Sequence, residues 1–504
     1  MDPGRQVPDQ AGELTAQMLA IGIHGYYGRA APAQGVTNTR LHGPPGSQAQ
    51  RQCQNVGAFT PSNARRIVST GIVDDHDLGF EMGADIVDDR GNRLSLVQGG
   101  DNDHDATEAA GWGQGYGFLY HWLMRVLHLG KFYPPHPGGM ETFMRDLLLE
   151  LVAADVECAA VVHEIDRSAI GHRHDGALQV WHARSYGNLL YAPVSPGFGV
   201  QLAEAIDRFR PDILHLHLPN TSALWALATP AARRIPWVVH WHADVITPLS
   251  RGIMRLAYRL YRPFEQAVLG HARAIIATSP PYLATSAPLA RWRHQCHCIP
   301  LGLDMDCLPH INPADRAWAE AQWLPGRRRV LSVGRLSHYK GFGYLVDAAQ
   351  QLPECHCLIV GDGEMRADLA GKIAARNVGG QVQLAGRLAA GRLHALLESC
   401  EVFCLPSIER TEAFGLVLVE AMAYAKPLVA SDIAGSGVGW VVQQGKNGLL
   451  AEPMNPTDLT DKIRAALDIP GLGSTGTEIA KTTFSISQVA GQVRQLYEQI
   501  LDRG

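Results

Sequence analysis

The chain has 504 residues, of which 46% are apolar, and a formal net charge of −5. That length exceeds what one hydrophobic core usually supports, so two domains of ordinary size plus an appendage are expected, and the near-balanced charge without single-sign blocks excludes a dedicated nucleic-acid binder. Nine cysteines, with no Cys-x-x-Cys pair, favour neither a disulfide nor zinc at Cys296/Cys298 or Cys355/Cys357; together with the lack of an apolar run of about 18 residues or a signal-peptide pattern, they lead to the expectation of a cytoplasmic protein.

Residues 1–123 are rich in Gly, Gln and Asp, with weak periodicity outside Asp85–Val97, and read as a largely disordered appendage or an upstream extension with Met124 as an alternative start. Within them Asp101-Asn102-Asp103-His104-Asp105 resembles the start of a calcium loop, but Ala106 stands at the glycine position and Trp112 at the twelfth, so a solvated acidic turn is expected. At Met124 the texture changes: Arg125 to Gly130 reads as a buried strand entering a glycine-bearing loop. Strand-like runs follow at Val156–His163, Leu178–Ala183, Asp212–Leu218, Trp237–His242 and Ala274–Thr278. A second series starts at Val330–Gly334 and continues through His356–Gly361, Gln381–Gly386, Glu401–Leu405 and Pro427–Ser431. Strand and helix alternating twice over predicts an α/β protein with two doubly wound parallel sheets, over 124–305 and 325–485. The connection falls around Asp304–Gly326, which is rich in Pro and polar residues, and a C-terminal helix over 486–504 is expected to pack back towards the first domain. Ligands of such sheets bind beyond the C-terminal strand ends, so chemistry is sought in the loops that follow the strands.

Several of those loops carry suitable residues. Lys131 to Gly139 joins the first strand to the first helix, and Gly138-Gly139 allows close approach of backbone N–H groups to an anion, or is simply a flexible turn. The spacing of this loop matches neither a dinucleotide fingerprint nor a phosphate-binding P-loop. His242 ends a buried strand with His240 on the same face; a metal shared with Asp244, or with His215 and His217, is set aside because no set has ligand spacing. Arg251, Arg255, Arg259 and Arg262 recur at helical spacing within 251–269, either a basic amphipathic helix for an anionic membrane surface or an ordinary solvated face. After the first strand of the second series, Gly334-Arg335-Leu336-Ser337-His338-Tyr339-Lys340 places a guanidinium and an ammonium where they suit a diphosphate, or stand as two solvated loop cations. Gly361-Asp362-Gly363-Glu364 wraps a nucleotide base or caps a helix. Glu412 lies in a strand-to-helix loop, and Glu420 about two turns into the helix, about 12 Å further along at ~1.5 Å per residue. That is too far for one proton-sharing dyad and fits the two ends of an extended, hydroxyl-rich ligand.

The ordered set of the Pro-His-Pro-Gly-Gly loop, the His242 strand end, the Arg335/Lys340 pair and the Glu-x7-Glu element of Glu412 and Glu420 resembles the retaining glycosyltransferases of the GT-B fold, in the large family-4 (glycosyl transferases group 1) type with bacterial glycan-assembly members. The resemblance covers Met124 to the C-terminus. It implies a nucleotide sugar, linked to UDP or GDP, in a cleft between two Rossmann-like domains, and a glycan or lipid-linked acceptor. Arg335 and Lys340 would hold the diphosphate, Glu420 the ribose hydroxyls and Glu412 the transferred sugar. The backbone N–H groups of Phe414, Gly415 and Leu416 would lie near sugar or phosphate, with Gly334, Gly361 and Gly363 lining the donor site. His242 would face the sugar and Gly139 would leave room for the β-phosphate. No cofactor or metal is implied, because the two cations supply the charge stabilisation that a divalent ion supplies elsewhere. Many members carry a Glu where this chain reads Gly435-Ser436-Gly437, which leaves backbone amides as local contacts. A sugar-nucleotide epimerase or hydrolase on the same scaffold, a pyridoxal-phosphate phosphorylase and a non-catalytic nucleotide-sugar-binding protein are the competing readings. The first lacks extra acid/base residues, the second a marked lysine in so short a chain, and the third is at odds with an intact site.

Overall fold

The computed structural model describes residues 85–87, 93–95, 124–136, 138–189, 192–245, 252–443 and 445–502. The calcium-loop-like segment and most of the expected appendage lie outside the described residues; Asp85–Val87 and Arg93–Ser95 form a short antiparallel pair.

The first sheet is built from β1 (Arg125–Leu129), β2 (Glu157–Glu164), β3 (Gly171–Asp175), β4 (Leu178–Arg184), β5 (Ile213–Leu218), β6 (Trp237–Trp241), β7 (Ala272–Ala277) and β8 (Cys296–Cys298), in the order β8-β7-β6-β5-β1-β2-β4-β3. Every neighbour is parallel except β3, which pairs antiparallel with β4 at the edge. Alternation along β1 divides its burial: Val126 joins the core formed with Phe143, Met144 and Leu147 of helix α1 (Gly139–Ala153), whereas Leu127 and Leu129 join the core formed with Phe198 and Leu202 of α2 (Phe198–Phe209). Helices α3 (Gly252–His271) and α4 (Pro280–Thr285) also belong to this domain.

The segment expected as a polar connection contains a helix, α5 (Pro313–Gln322). Asn312 caps it by accepting from the Asp315 N–H at 2.7 Å, and Pro313 supplies a pre-set φ at its first turn. The second sheet holds β9 (Arg328–Val333), β10 (Cys355–Val360), β11 (Val382–Gly386), β12 (Val402–Leu405), β13 (Leu428–Ser431) and β14 (Gly448–Ala451), all parallel in the order β11-β10-β9-β12-β13-β14. Its longer helices are α6 (Phe342–Ala349), α7 (Arg366–Ala375), α8 (Ala390–Ser399), α9 (Leu416–Ala423), α10 (Pro456–Asp468) and α11 (Gly476–Thr483). Helix α5 belongs here, tied to α8 by the Arg316–Glu398 ion pair at 2.7 Å.

The final helix, α12 (Ile486–Asp502), returns to the first domain, where Arg494 Nη1 donates to the Ala154 carbonyl at 2.9 Å and Tyr497 is buried on the sheet. The chain thus passes between the domains twice, side by side: Leu303 N–H donates to Phe484 O at 2.8 Å and Ile486 N–H to Leu303 O at 2.9 Å. In each sheet the strand order reverses beside the first strand, between β1 and β5 and between β9 and β12. The C-terminal ends of those four strands are where an open α/β sheet binds ligands.

Candidate active site

The loops after β9 and β12 are pressed together. Gly341 has φ 65°, and a Cβ there would lie 2.0 Å from the Pro406 carbonyl oxygen. Ile408 N–H donates to Tyr339 O at 2.8 Å and stitches the same two loops. Their approach delivers Lys340 to Glu412: Nζ lies 2.5 Å from Oε2, with the two side chains only 11% and 10% exposed. Ser407 Oγ donates to the same carboxylate oxygen at 2.8 Å. Burial pushes the Lys340 ammonium down, but Glu412, Tyr339 and Glu420 outweigh it and hold the group above its ordinary range. Glu420 sits behind this pair on α9, where burial pushes its carboxyl up to about 7 against the pull of Lys340. One ammonium is therefore bonded to Glu412 and feels the charge of Glu420.

Arg335 is placed differently. It is 58% exposed on the rim and pairs with Glu364 at 3.3 Å, so the two expected phosphate-binding cations are held by different acids. Gly334 N–H closes the end of β9 onto Val360 O at 3.0 Å. Gly361, with φ 142°, would place a Cβ 1.9 Å from Gly334 O, and Gly363 one 2.5 Å from Leu336 O. These two glycines permit the loops after β9 and β10 to pack backbone to backbone. Asp362 accepts from the Gly363 N–H, and neither residue caps α7, whose N-cap is Met365. Gly415, with φ 80°, opens α9, so the backbone N–H groups at Gly415 and Leu416 belong to its first turn, while Phe414 is buried against Trp440 and Phe484.

On the first domain, a Cβ at Gly139 would meet nothing within 4 Å, whereas one at Gly138 would lie 2.0 Å from Glu141 Oε2. The Glu141 carboxylate thus folds back over the start of α1, where an anion was expected. Burial raises its pKa, opposed by its own backbone N–H, Lys131 and His136. Lys131, singled out by no motif, is held down by burial, raised by Glu141 and lowered again by Arg335 of the other domain. The two cations therefore feel each other across the cleft. His242 is buried at the end of β6, its Nε2 3.0 Å from His217 Nδ1.

Sequence reasoning also missed the contact between the domains. Arg410, in the loop before Glu412, reaches Asp244 Oδ2 with Nη1 at 3.1 Å, donates from Nε to Gly435 O at 3.1 Å and lies 4.6 Å above the Tyr282 ring. Asp244 is fixed in turn by Trp241 Nε1–H at 2.8 Å and Ser286 Oγ–H at 2.7 Å. The Gly435-Ser436-Gly437 turn presses on the first domain, with Thr285 Oγ1 donating to Gly435 O at 3.1 Å, and Ser436 Oγ donates to the Glu412 carbonyl. A charged residue two positions from each expected site residue, Asp244 after His242 and Arg410 before Glu412, was the available signal.

Two doubly wound domains joined through Arg410 and Asp244, with a buried Lys340–Glu412 pair and close-packed glycine loops at the switch point of the second sheet, define the GT-B fold. Residues 317–481 match the family described as "Glycosyl transferases group 1", and 138–302 the "Glycosyl transferase 4-like domain". The chain is 28% identical over 350 residues to the O-antigen chain mannosyltransferase C of Escherichia coli, covering 68% of this chain and 88% of that protein. It is 30% identical over 311 residues to the phosphatidyl-myo-inositol mannosyltransferase of Mycobacterium leprae, covering 58% and 75%. Sucrose-phosphate synthase from Thermosynechococcus elongatus superposes with a TM-score of 0.63 at 22% identity, over 76% of this chain and all of that one. The chain belongs to the family-4 (glycosyl transferases group 1) glycosyltransferases.

Proposed function

We propose that the enzyme moves a hexose from a UDP- or GDP-linked donor to a glycan or lipid-linked acceptor in cell-surface polysaccharide synthesis, with retention of configuration and without a metal ion. The observation that carries this reading is the buried Lys340–Glu412 pair with Glu420 behind it, set at the switch point of the second sheet. Lys340 and Arg335 neutralise the diphosphate, Arg335 leaving Glu364 to do so, and Lys131 adds charge from the opposite wall. Glu420 accepts from the ribose hydroxyls and Glu412 from hydroxyls of the hexose. The N–H groups at Phe414, Gly415 and Leu416 lie along sugar and phosphate, and His242 meets the hexose from the first domain.

The anomeric carbon–oxygen bond to phosphate breaks with its electron pair staying on the phosphate oxygen, whose charge the cations stabilise as it develops. The acceptor hydroxyl attacks the oxocarbenium-like centre from the same face and loses its proton to the departing phosphate. Glu412 is committed to Lys340 and Ser407, which suits a sugar-positioning group better than a free base.

The two curated relatives are named for O-antigen chains and phosphatidyl-myo-inositol, which favours a glycan or lipid acceptor. Helix α3 exposes Leu256, Leu260 and Phe264 at four-residue spacing, at 59%, 66% and 53%, beside exposed Arg255, Arg259 and Arg262. That stripe suits the inner face of an anionic cytoplasmic membrane, although no helix among the described residues is long and apolar enough to cross one. The test is a panel of radiolabelled nucleotide sugars offered with membrane extract. Glu412→Ala and Lys340→Ala should each abolish transfer while the circular dichroism spectrum is kept; full turnover in either variant refutes the site.

A further inference from the structure

One face of the first sheet, covered by α1 and α12, carries His128, His215, His217, His240 and His242, contributed by β1, β5 and the end of β6. Cross-strand register sets His128 beside His215 and His217 beside His240. The first four are wholly buried and His242 is 8% exposed. Phe143 of α1 stands edge-on to His240 and His242, and the Tyr497 hydroxyl of α12 bonds to His215 Nδ1. Burial pushes His128 and His242 down to about 3, and the other three well below their ordinary value. At neutral pH each ring therefore carries one N–H and one lone pair.

The five rings make two kinds of contact. His240 and His242 stack face to face, 4.4 Å apart and 2° from parallel, and His215 and His217 do the same at 4.6 Å and 4°. The pairs His128/His217 and His217/His242 each have centroids 5.3 Å apart with facing nitrogens 3.0 Å apart, the signature of rings meeting edge to edge. His217 uses Nε2 towards His128 and Nδ1 towards His242. The result is a chain of hydrogen-bonded imidazoles running from the sheet centre to the candidate site.

His128/His215/His217 and His217/His240/His242 also have ring nitrogens within 4.8 Å of one another. A metal ion, however, lies near the plane of every ring that ligates it, and stacked parallel planes do not meet at such a point. The chain is the arrangement that these rings fit.

Neutral rings can order the chain in two ways. If His242 Nε2–H donates inward, the last N–H falls on His128 Nε2, which has no partner and stays buried whatever binds. If His128 Nδ1–H donates outward through His217, the spare N–H falls on His242 Nδ1, likewise unpartnered but on the one ring of the five that is not wholly buried. An N–H sealed on the wholly buried His128 costs more than one on His242, the ring nearest to solvent, so the outward order is preferred with or without a ligand. We infer that His128 and His217 are positioning residues, which lock His242 as the Nδ1–H tautomer and make it a neutral hydrogen-bond donor reserved for an oxygen of the transferred sugar. The sugar as its partner rests on the function proposed above.

The tautomer is read directly by long-range proton–nitrogen correlation on histidine-labelled, ligand-free protein, with the His242 signals identified by their loss in His242→Gln. Wild type should show Nδ1–H. In His217→Phe the chain is cut, and His242 should become a mixture of tautomers with transfer efficiency down about tenfold, the worth of one hydrogen bond. His217→Gln, whose amide donates at one end and accepts at the other, should restore both the tautomer and most of the activity. An Nε2–H signal in wild type, an unchanged His242 in His217→Phe, or stoichiometric bound zinc, copper or nickel by elemental analysis would overturn the inference. Because the tautomer is read without substrate, the chain stands if it is found as described in a protein that transfers no sugar, which would sink only the proposed function.

Discussion

Glu420→Gln separates stability from function at this site. Burial holds the Glu420 carboxyl at about 7, whereas an unperturbed glutamate titrates at 4.5. Across that window the folded protein keeps a proton that the unfolded chain has released, so stability falls as pH rises from about 4.5 to about 7 and is flat above. The gap multiplied by about 1.36 kcal/mol per pH unit amounts to a loss of about 3 kcal/mol at mildly alkaline pH. Glutamine keeps the shape and never ionises. Urea unfolding followed by tryptophan fluorescence should therefore find the variant more stable than the parent by about 3 kcal/mol near pH 8.5, and by under about 1 kcal/mol near pH 5. The same variant should bind donor more weakly, since ribose hydroxyls lose a charged acceptor. Equal stability differences at both pH values, or a variant less stable at the higher one, would show that Glu420 is not a carboxyl that burial holds at about 7.

Arg410→Ala removes the charged contact with Asp244 and the stacking on Tyr282; transfer efficiency should drop about tenfold, and small-angle scattering should report a larger radius of gyration. An unchanged radius would mean that the pair does not hold the domains together. Gly361→Ala must push a Cβ off the Gly334 carbonyl from a backbone angle that alanine rarely adopts, costing at least about 2 kcal/mol; the denaturation midpoint checks it. Replacing Leu260 and Phe264 together by serine should lower partition onto anionic lipid vesicles on the order of a hundredfold, at roughly 1.5 kcal/mol or more per side chain, with transfer to a water-soluble acceptor unchanged.

Both sheets were legible because buried parallel strands read as nearly unbroken apolar runs, as in Ile213–Leu218 and Cys355–Val360. The edge strand Gly171–Asp175 was not, since Gly-His-Arg-His-Asp has no apolar face and is held by its antiparallel partner. Helix α5 hid behind a proline that marks a helix start as readily as a loop. At the site, the loop positions of Arg335, Lys340 and Glu412 and the helical position of Glu420 could be read, but not which cation meets which acid. That choice depends on Gly341 letting Pro406 approach, and on Glu364 lying within reach of Arg335. Arg410 and Asp244, His128 and His217, and His217 and His242 are separated by 166, 89 and 25 positions, so only the fold brings them together. Stacking geometry leaves no trace in a spacing rule at all.

The paired crossing at Leu303 and Ser485 has a mechanical consequence. Two peptide segments running in step and bonded to each other act as a single pivot, so the lobes can swing about it but cannot slide past one another. Because the chain then hands its last helix back to the first lobe, Tyr497 travels with the histidine face it covers, and the imidazole row keeps its lid whether the jaws are open or shut.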